Sequence, residues 1–275
     1  MASTAEPVRP GNAICDALAL SARNRPCGFF FDFDGVLAHI QSEPESVKPV
    51  PGIVDGLAKV APLVDSIGII SGRPIQFLVR HFGGLRAVSL FGLYGIETAI
   101  DGVIDIDPEA QSWIPTIRAV EQEARRDLPD SIFIEDKQLS VSLHYRLHPE
   151  CRARVEEWAS AKSRQYGLRL QQGRMVAELK PPVSIDKGTV LSREVSDLRC
   201  AWYLGDDISD VKSFETLRKR REEDHDFVAV CVAVRNTETG QELEKQADYT
   251  LSGPDETVEL LNSAIRIFSM PAQSS

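Results

Sequence analysis

Short apolar runs that end in polar or glycine-containing loops alternate with stretches whose apolar residues fall three and four apart. The runs read as buried strands and the stretches as amphipathic helices. AICDALALSARN (13–24) predicts a helix, and CGFFFDFDG a buried strand that empties into a loop. GIVDGLAKVAPLVD (52–65) predicts a second helix, and SIGIISGRP (66–74) a strand closed by small residues. Residues 75–83 read as a helix and AVSLFGLYG (87–95) as a third strand. Such alternation predicts an α/β fold: a Rossmann-like core with a central parallel sheet and helices on both faces.

The rhythm then changes. Residues 108–127 predict a charged helix, 131–147 two strands joined by a polar turn, 148–167 a helix, and 168–181 a hairpin with Gly173 in its turn. Helix, two strands, helix, two strands is an α+β unit of its own. Asp101-Gly102 and Pro181-Pro182 mark its joints. After them the first rhythm returns, with helices over 187–198, 211–222 and 255–268 and strands over 200–207 and 226–234. The expected organisation is a core built from 1–100 and 182–275, interrupted by an inserted α+β domain at 101–181.

Composition narrows the partners. The 275 residues are 43% hydrophobic and 26% charged, as in ordinary globular chains. A net charge of -10 argues against nucleic-acid binding, which needs an excess of Lys and Arg. It leaves room for an anionic small molecule held by a local basic group or a metal. The five cysteines, Cys15, Cys27, Cys151, Cys200 and Cys231, show no CxxC spacing, and their odd number fits reduced thiols. No apolar run approaches the ~18 residues that span a bilayer. The expectation is a soluble cytoplasmic protein with no nucleic-acid or membrane partner; no oligomeric state is specified, and a monomer is compatible with the pattern.

Chemistry concentrates at predicted strand ends. Asp32-Phe33-Asp34-Gly35 follows the FFF run, at the carboxyl edge where open α/β sheets bind ligands. Two carboxylates so close need a cation to stay ionised, and hard oxygen donors favour magnesium. One could attack phosphorus while the other moves a proton, although DxDG also suits a plain acidic turn. Gly205-Asp206-Asp207, with Asp210 nearby, ends another strand. A helix cap explains one of these acids but not the cluster. Asp206 is therefore the favoured metal ligand, with Asp207 or Asp210 as a further contributor. Ser71-Gly72-Arg73 could hold phosphate oxygens at a helix start. Lys187, opening the helix after the insertion, could neutralise phosphate charge.

These four elements, in this order, resemble the haloacid dehalogenase-like phosphohydrolases. That resemblance implies Asp32 as nucleophile, Asp34 as general acid and base, Ser71 and Lys187 on the phosphoryl group, and magnesium on Asp32, the Asp34 main chain, Asp206 and its neighbour. Within that superfamily DFDGVLAHI, SGR, GLYGIE, LHYR, 178–188 and GDDISDVKSF are similar to the trehalose-6-phosphate phosphatase family. The implied activity is hydrolysis of a sugar phosphate through an aspartyl-phosphate, with the inserted domain as a specificity cap. Glu135, Lys137, His144, Arg146, Arg174, Glu178 and Lys180 become candidates for the sugar, headed by Glu135, Lys137, Glu178 and Lys180. Val36, Tyr94 and the stretch Ser209-Asp210-Val211-Lys212 depart from the family pattern, which leaves a related disaccharide, pseudo-disaccharide or glycosyl-glycerate phosphate as an alternative substrate. A receiver domain would need neither Asp34 nor the insertion. A non-catalytic sugar-phosphate binder would need no intact set of Asp32, Asp34, Lys187 and Asp206.

Overall fold

The computed structural model describes residues 12–41, 43–173, 175–236 and 242–270. The chain divides into two compact units, one of residues 1–104 with 185–275 and one of 105–184. In chain order the first unit contains α1 (Asn12–Arg23), β1 (Cys27–Phe31), α2 (Ile53–Val60), β2 (Ser66–Ile70), α3 (Ile75–Phe82), β3 (Ser89–Gly92) and β4 (Glu97–Ile100). Strand β5 (Val103–Ile106) runs across the division. The inserted unit holds α4 (Pro108–Gln111), α5 (Ile114–Asp127), β6 (Phe133–Asp136), β7 (Val141–His144), α6 (Arg152–Tyr166), β8 (Arg169–Gly173) and β9 (Val176–Lys180). The first unit resumes with α7 (Lys187–Glu194), β10 (Cys200–Gly205), α8 (Val211–Glu223), β11 (Val228–Val234), β12 (Tyr249–Leu251) and α9 (Pro254–Phe268).

The large sheet has the order β12-β11-β10-β1-β2-β3-β4-β5. From β12 to β3 its pairs are parallel; β4 lies antiparallel to β3. Strand alternation divides the aromatic run between two cores. Phe29 and Phe31 pack with Trp202 and helices α1, α2, α3 and α9, while Phe30 packs with Tyr203, α7 and α8. Each fully buried phenylalanine contributes about 1.5–3 kcal/mol. A polar residue within the run would forfeit this on one face or the other.

Strand β1 is flanked by β2, next in the chain, and by β10, which the chain reaches only after the insertion. The chain direction across the sheet therefore reverses at β1, and such a switch point leaves a crevice beyond the carboxyl strand ends. Asp32 follows β1 and Asp206 follows β10 at that edge.

Asp101-Gly102, expected as a joint between domains, is instead the turn between the hydrogen-bonded neighbours β4 and β5. Both residues have positive φ, 52° and 82°, as a tight hairpin turn requires. The division lies beyond this turn, between Ile104 and Asp105, and on the far side between Ser184 and Ile185. The helix expected over 108–127 is broken after Gln111 and restarts at Ile114, with Pro115 in its first turn. Gly173 ends β8 rather than forming the hairpin turn.

In the inserted unit the sheet order is β6-β7-β9-β8, all antiparallel. Ile134, Val141, Leu143, Ala177 and Leu179 face α5 and α6 and form its buried core. The period of two sends the intervening polar residues to the opposite face.

Candidate active site

Parallel register brings the motif residues together. Phe31 pairs with Leu204 on one side and with Ile69 on the other, so Asp32, Ser71 and Asp206 leave three adjacent strands at one edge. Asp32 is 5% exposed, and both its oxygens accept hydrogen bonds. Phe33 N–H donates to Oδ1 at 2.6 Å, and Lys187 Nζ contacts Oδ2 at 2.7 Å. Lys187 is the first residue of α7, fixed there by a capping box between Asp186 and Thr189.

The same ammonium donates to Asp210 Oδ1 at 2.7 Å. Asp210 also accepts from Tyr203 Oη at 2.7 Å and from the amides of Asp206 and Asp207 at 2.9 and 3.1 Å. Its two oxygens thus tie the acidic loop to Lys187 and to the buried sheet. Asp207 accepts the Ser209 amide and hydroxyl at 2.7 and 2.6 Å and caps the short turn that follows. Asp206 Oδ2 accepts from Asn236 Nδ2 at 2.6 Å.

Ligand oxygens of Asp32, Asp206, Asp207 and Asp210 lie within 4.8 Å of one another, with Lys187 as the cation in contact with two of them. Burial pushes Asp32 and Asp206 well above the usual carboxylate range. Mutual repulsion adds to this, and Lys187 opposes it. Burial would lower Lys187, but Asp210 and Asp32 outweigh it and hold its ammonium well above the ordinary range. Surplus negative charge on hard oxygen donors fits a divalent cation. With Asp210 committed to four donors, Asp32, Asp206 and Asp207 are the carboxylates suited to hold one.

Asp34, 36% exposed at its side chain, is gripped by Arg73, with Nε on Oδ2 at 2.7 Å and Nη2 on Oδ1 at 2.6 Å. Gly35, at φ 75°, lets the loop fold back so that its amide reaches Ala38 O at 2.8 Å. Any Cβ on Gly35 would overlap the Asp206 carboxylate. Ser71 is buried, and its Oγ accepts the Arg73 amide at 3.2 Å. Gly72 lies against the Tyr94 ring, and Tyr94 itself sits at φ 64°. Glu97, from the GLYGIE motif, is buried and accepts the first amide of α3, Ile75 N–H, at 2.7 Å. Burial raises its carboxyl, and that hydrogen bond opposes the rise.

The sequence model of the trehalose-phosphatase family matches residues 30–254. The chain belongs to that family. The chain is 32% identical over 257 residues to the trehalose-phosphate phosphatase of Mycobacterium leprae and 32% over 261 residues to that of Mycobacterium marinum. These alignments cover 87% and 88% of this chain but 58% and 64% of those relatives, so the chain spans about three fifths of their length. Among solved structures, the C-terminal domain of Candida albicans trehalose-6-phosphate phosphatase superposes with a TM-score of 0.77 at 20% identity, covering 95% of this chain and 99% of that one. A trehalose-6-phosphate phosphatase related protein gives 0.70 at 22% identity, covering 87% and 97%. The fold is thus the haloacid dehalogenase-like one shared by trehalose-phosphatases.

The inserted unit carries a polar cross-strand row. Register places Glu135, Ser142, Glu178 and Gln171 side by side across the four strands. Lys137 Nζ contacts Glu178 at 3.1 Å, Ser140 Oγ donates to Glu178 at 2.7 Å, and His144 Nε2 pairs with Glu135 at 2.8 Å. Lys180 donates to Gln171. Burial would raise Glu178, but Lys137 and Lys180, with the Ser140 hydroxyl, outweigh it and hold it below its ordinary value. Arg146 stands in the turn after β7, and Arg174 lies outside the described residues. Tyr203 and Asn236 complete the site without having been singled out from sequence. Tyr203 is hidden in an apolar run, and Asn236 reads as a loop residue after a strand. Among the described residues, no helix is long and apolar enough to cross a membrane.

Proposed function

We propose that the chain hydrolyses a sugar phosphate, trehalose 6-phosphate first among the candidates, with Asp32 as nucleophile and magnesium as cofactor. The observation that carries this reading is the pairing of Asp32 with Lys187 inside an acidic cluster at the carboxyl edge of the sheet. Hydrogen bonds on both oxygens hold the Asp32 carboxylate in one plane, so its attack needs little reorganisation. Asp32, the Asp34 main-chain carbonyl and Asp206, with Asp207 beside them, are the groups that would hold magnesium. When bound, the metal neutralises charge between the carboxylate and the phosphate dianion.

An Asp32 oxygen forms a bond to phosphorus as the bond from phosphorus to the sugar oxygen breaks. Lys187 and the Ser71-Gly72-Arg73 loop hold the other phosphoryl oxygens. Asp34 gives a proton to the departing sugar oxygen. Arg73 must first loosen its double grip on Asp34, and the incoming phosphate offers its guanidinium another anion. Water then attacks phosphorus, Asp34 takes its proton, and the bond to Asp32 breaks to release inorganic phosphate. Glu135, Lys137, Glu178 and Lys180 of the inserted unit, with His144, Arg146 and Arg174, are the groups proposed to recognise the sugar. Their mixed charges and the buried Glu178 suit a ligand with several hydroxyls, and the curated relatives' name, trehalose-phosphate phosphatase, supports that sugar.

Phosphate release from a panel of mono- and disaccharide phosphates, with and without magnesium, tests the reading. Asp32→Asn keeps the shape and removes the nucleophile, so turnover should vanish while folding persists. Release by Asp32→Asn within tenfold of the unaltered protein would remove Asp32 from that role.

A further inference from the structure

Asn236 stands just beyond β11, on the strand next to the one that delivers Asp206. Gly205 pairs with Ala233, which brings the two strand ends alongside each other. The backbone before Asn236 is pinned twice: Arg235 N–H donates to Leu251 O at 2.8 Å, and the Arg235 guanidinium makes two hydrogen bonds to Glu244 Oε2 at 2.9 and 2.8 Å. From this anchored position Asn236 Nδ2 reaches Asp206 Oδ2 at 2.6 Å and its main-chain carbonyl at 3.4 Å. One amide group thereby spans the side chain and the backbone of the same aspartate, which restricts rotation of the carboxylate. Gly35 lies so close to that carboxylate that a Cβ there would overlap it.

We propose that Asn236 is a positioning residue for the metal centre, aiming Asp206 at the cation. The inference rests on the magnesium-assisted reading above. A neutral amide is suited to the task. It donates a hydrogen bond without cancelling the carboxylate charge that attracts the cation, as a lysine would, and without adding repulsion, as an acid would. Asn236 also lines a cavity of about 410 Å³ together with Gly35, His39, Arg235, Pro254 and Asp255. Truncation would leave the Oδ2 hydrogen bond to water and free the carboxylate to turn.

The test is manganese binding to the full chain, followed by the loss of the free-ion electron paramagnetic resonance signal, with magnesium competition. Two variants divide the effect. Asn236→Ala removes the donor and opens the wall, whereas Asn236→Leu removes the donor and keeps the wall filled. Both should bind manganese about tenfold or more weakly, the usual range for lost outer-shell partners. In phosphate-release assays the metal concentration for half-maximal rate should rise by the same factor, with turnover at saturating metal reduced far less. Affinity within twofold of the unaltered protein in either folded variant overturns the inference. Asp206→Asn is the control: if it too binds manganese normally, the metal assignment of the acidic cluster fails and takes the role of Asn236 with it.

Discussion

Replacing Asp210 by Asn separates an internal tether from a metal ligand by the sign of the stability change. Asp210 is fully buried and accepts from Lys187 and Tyr203 on one oxygen and from two main-chain amides on the other. Asparagine has the same outline but only one acceptor oxygen, its other terminal group being a donor. With the oxygen turned to Lys187 and Tyr203, the new NH2 faces the amides of Asp206 and Asp207 and the acidic loop loses its anchor. Turned the other way, Lys187 keeps only Asp32 and meets a donor. Either arrangement forfeits two hydrogen bonds, at about 1.5–3 kcal/mol each where a charge takes part. The expected loss is roughly 3–5 kcal/mol, the range found when one partner leaves a buried ion pair. Relief of repulsion among the four carboxylates acts in the opposite direction. If that relief or metal ligation were the main role of Asp210, the metal-free variant would be as stable as the parent or more so. Urea unfolding at pH 7 in the presence of a chelator reads the sign directly. An unchanged or higher midpoint for Asp210→Asn would falsify the tether.

Two further outcomes follow from the same geometry. Glu178 is held below its ordinary carboxyl pKa of 4.5, so its contribution is complete above that value and is lost as pH falls through the lowered one. Glu178→Gln should therefore cost about 1–3 kcal/mol at pH 7, with the gap closing as pH falls below 4.5 and through the lowered value, in thermal midpoints recorded across the pH range. Gly35→Ala places a Cβ on the Asp206 carboxylate at φ 75°, so manganese binding and magnesium-dependent phosphate release should both fall by roughly a hundredfold or more, beyond the effect of losing an outer-shell partner alone. Retention of either within tenfold would show that the loop can move aside.

Most of the core was legible because the large sheet is buried on both faces and its strands carry near-continuous apolar runs. Strands β4 and β5 escaped notice for the opposite reason. Glu97–Ile100 buries Glu97 and Ala99 but not Thr98 and Ile100, and Val103–Ile106 is exposed or half-buried at the sheet edge, so no apolar run announces them, and Asp101-Gly102 serves a hairpin as well as a joint. The three-residue β12 is too short to show a period. In the acidic loop the aspartates were visible but not their division of labour. Asp207 and Asp210 differ in which way the short turn points them, and only the turn sends Asp210 inward to Lys187 while Asp207 caps the turn. Tyr203 shows why a tyrosine in an apolar strand carries no site signal: its ring packs beside Phe214 like any core residue, and only its hydroxyl reaches Asp210.

The strand arrangement also bears on how the chain is made. Trp202 of β10 hydrogen-bonds Ser21 of α1 across 181 residues of sequence, and β1 lies between β2 and that late strand. At ribosomal rates of ~5–20 residues per second, β1 waits about 10–40 s for its second neighbour. During that interval a strand of three phenylalanines presents an open hydrogen-bonding edge to whatever else is nearby. The inserted unit is contiguous in sequence and emerges within the same interval with its own apolar core. Yield of the folded protein in the cell should accordingly depend on chaperone supply and on the pace of translation, even for variants whose equilibrium stability is unchanged.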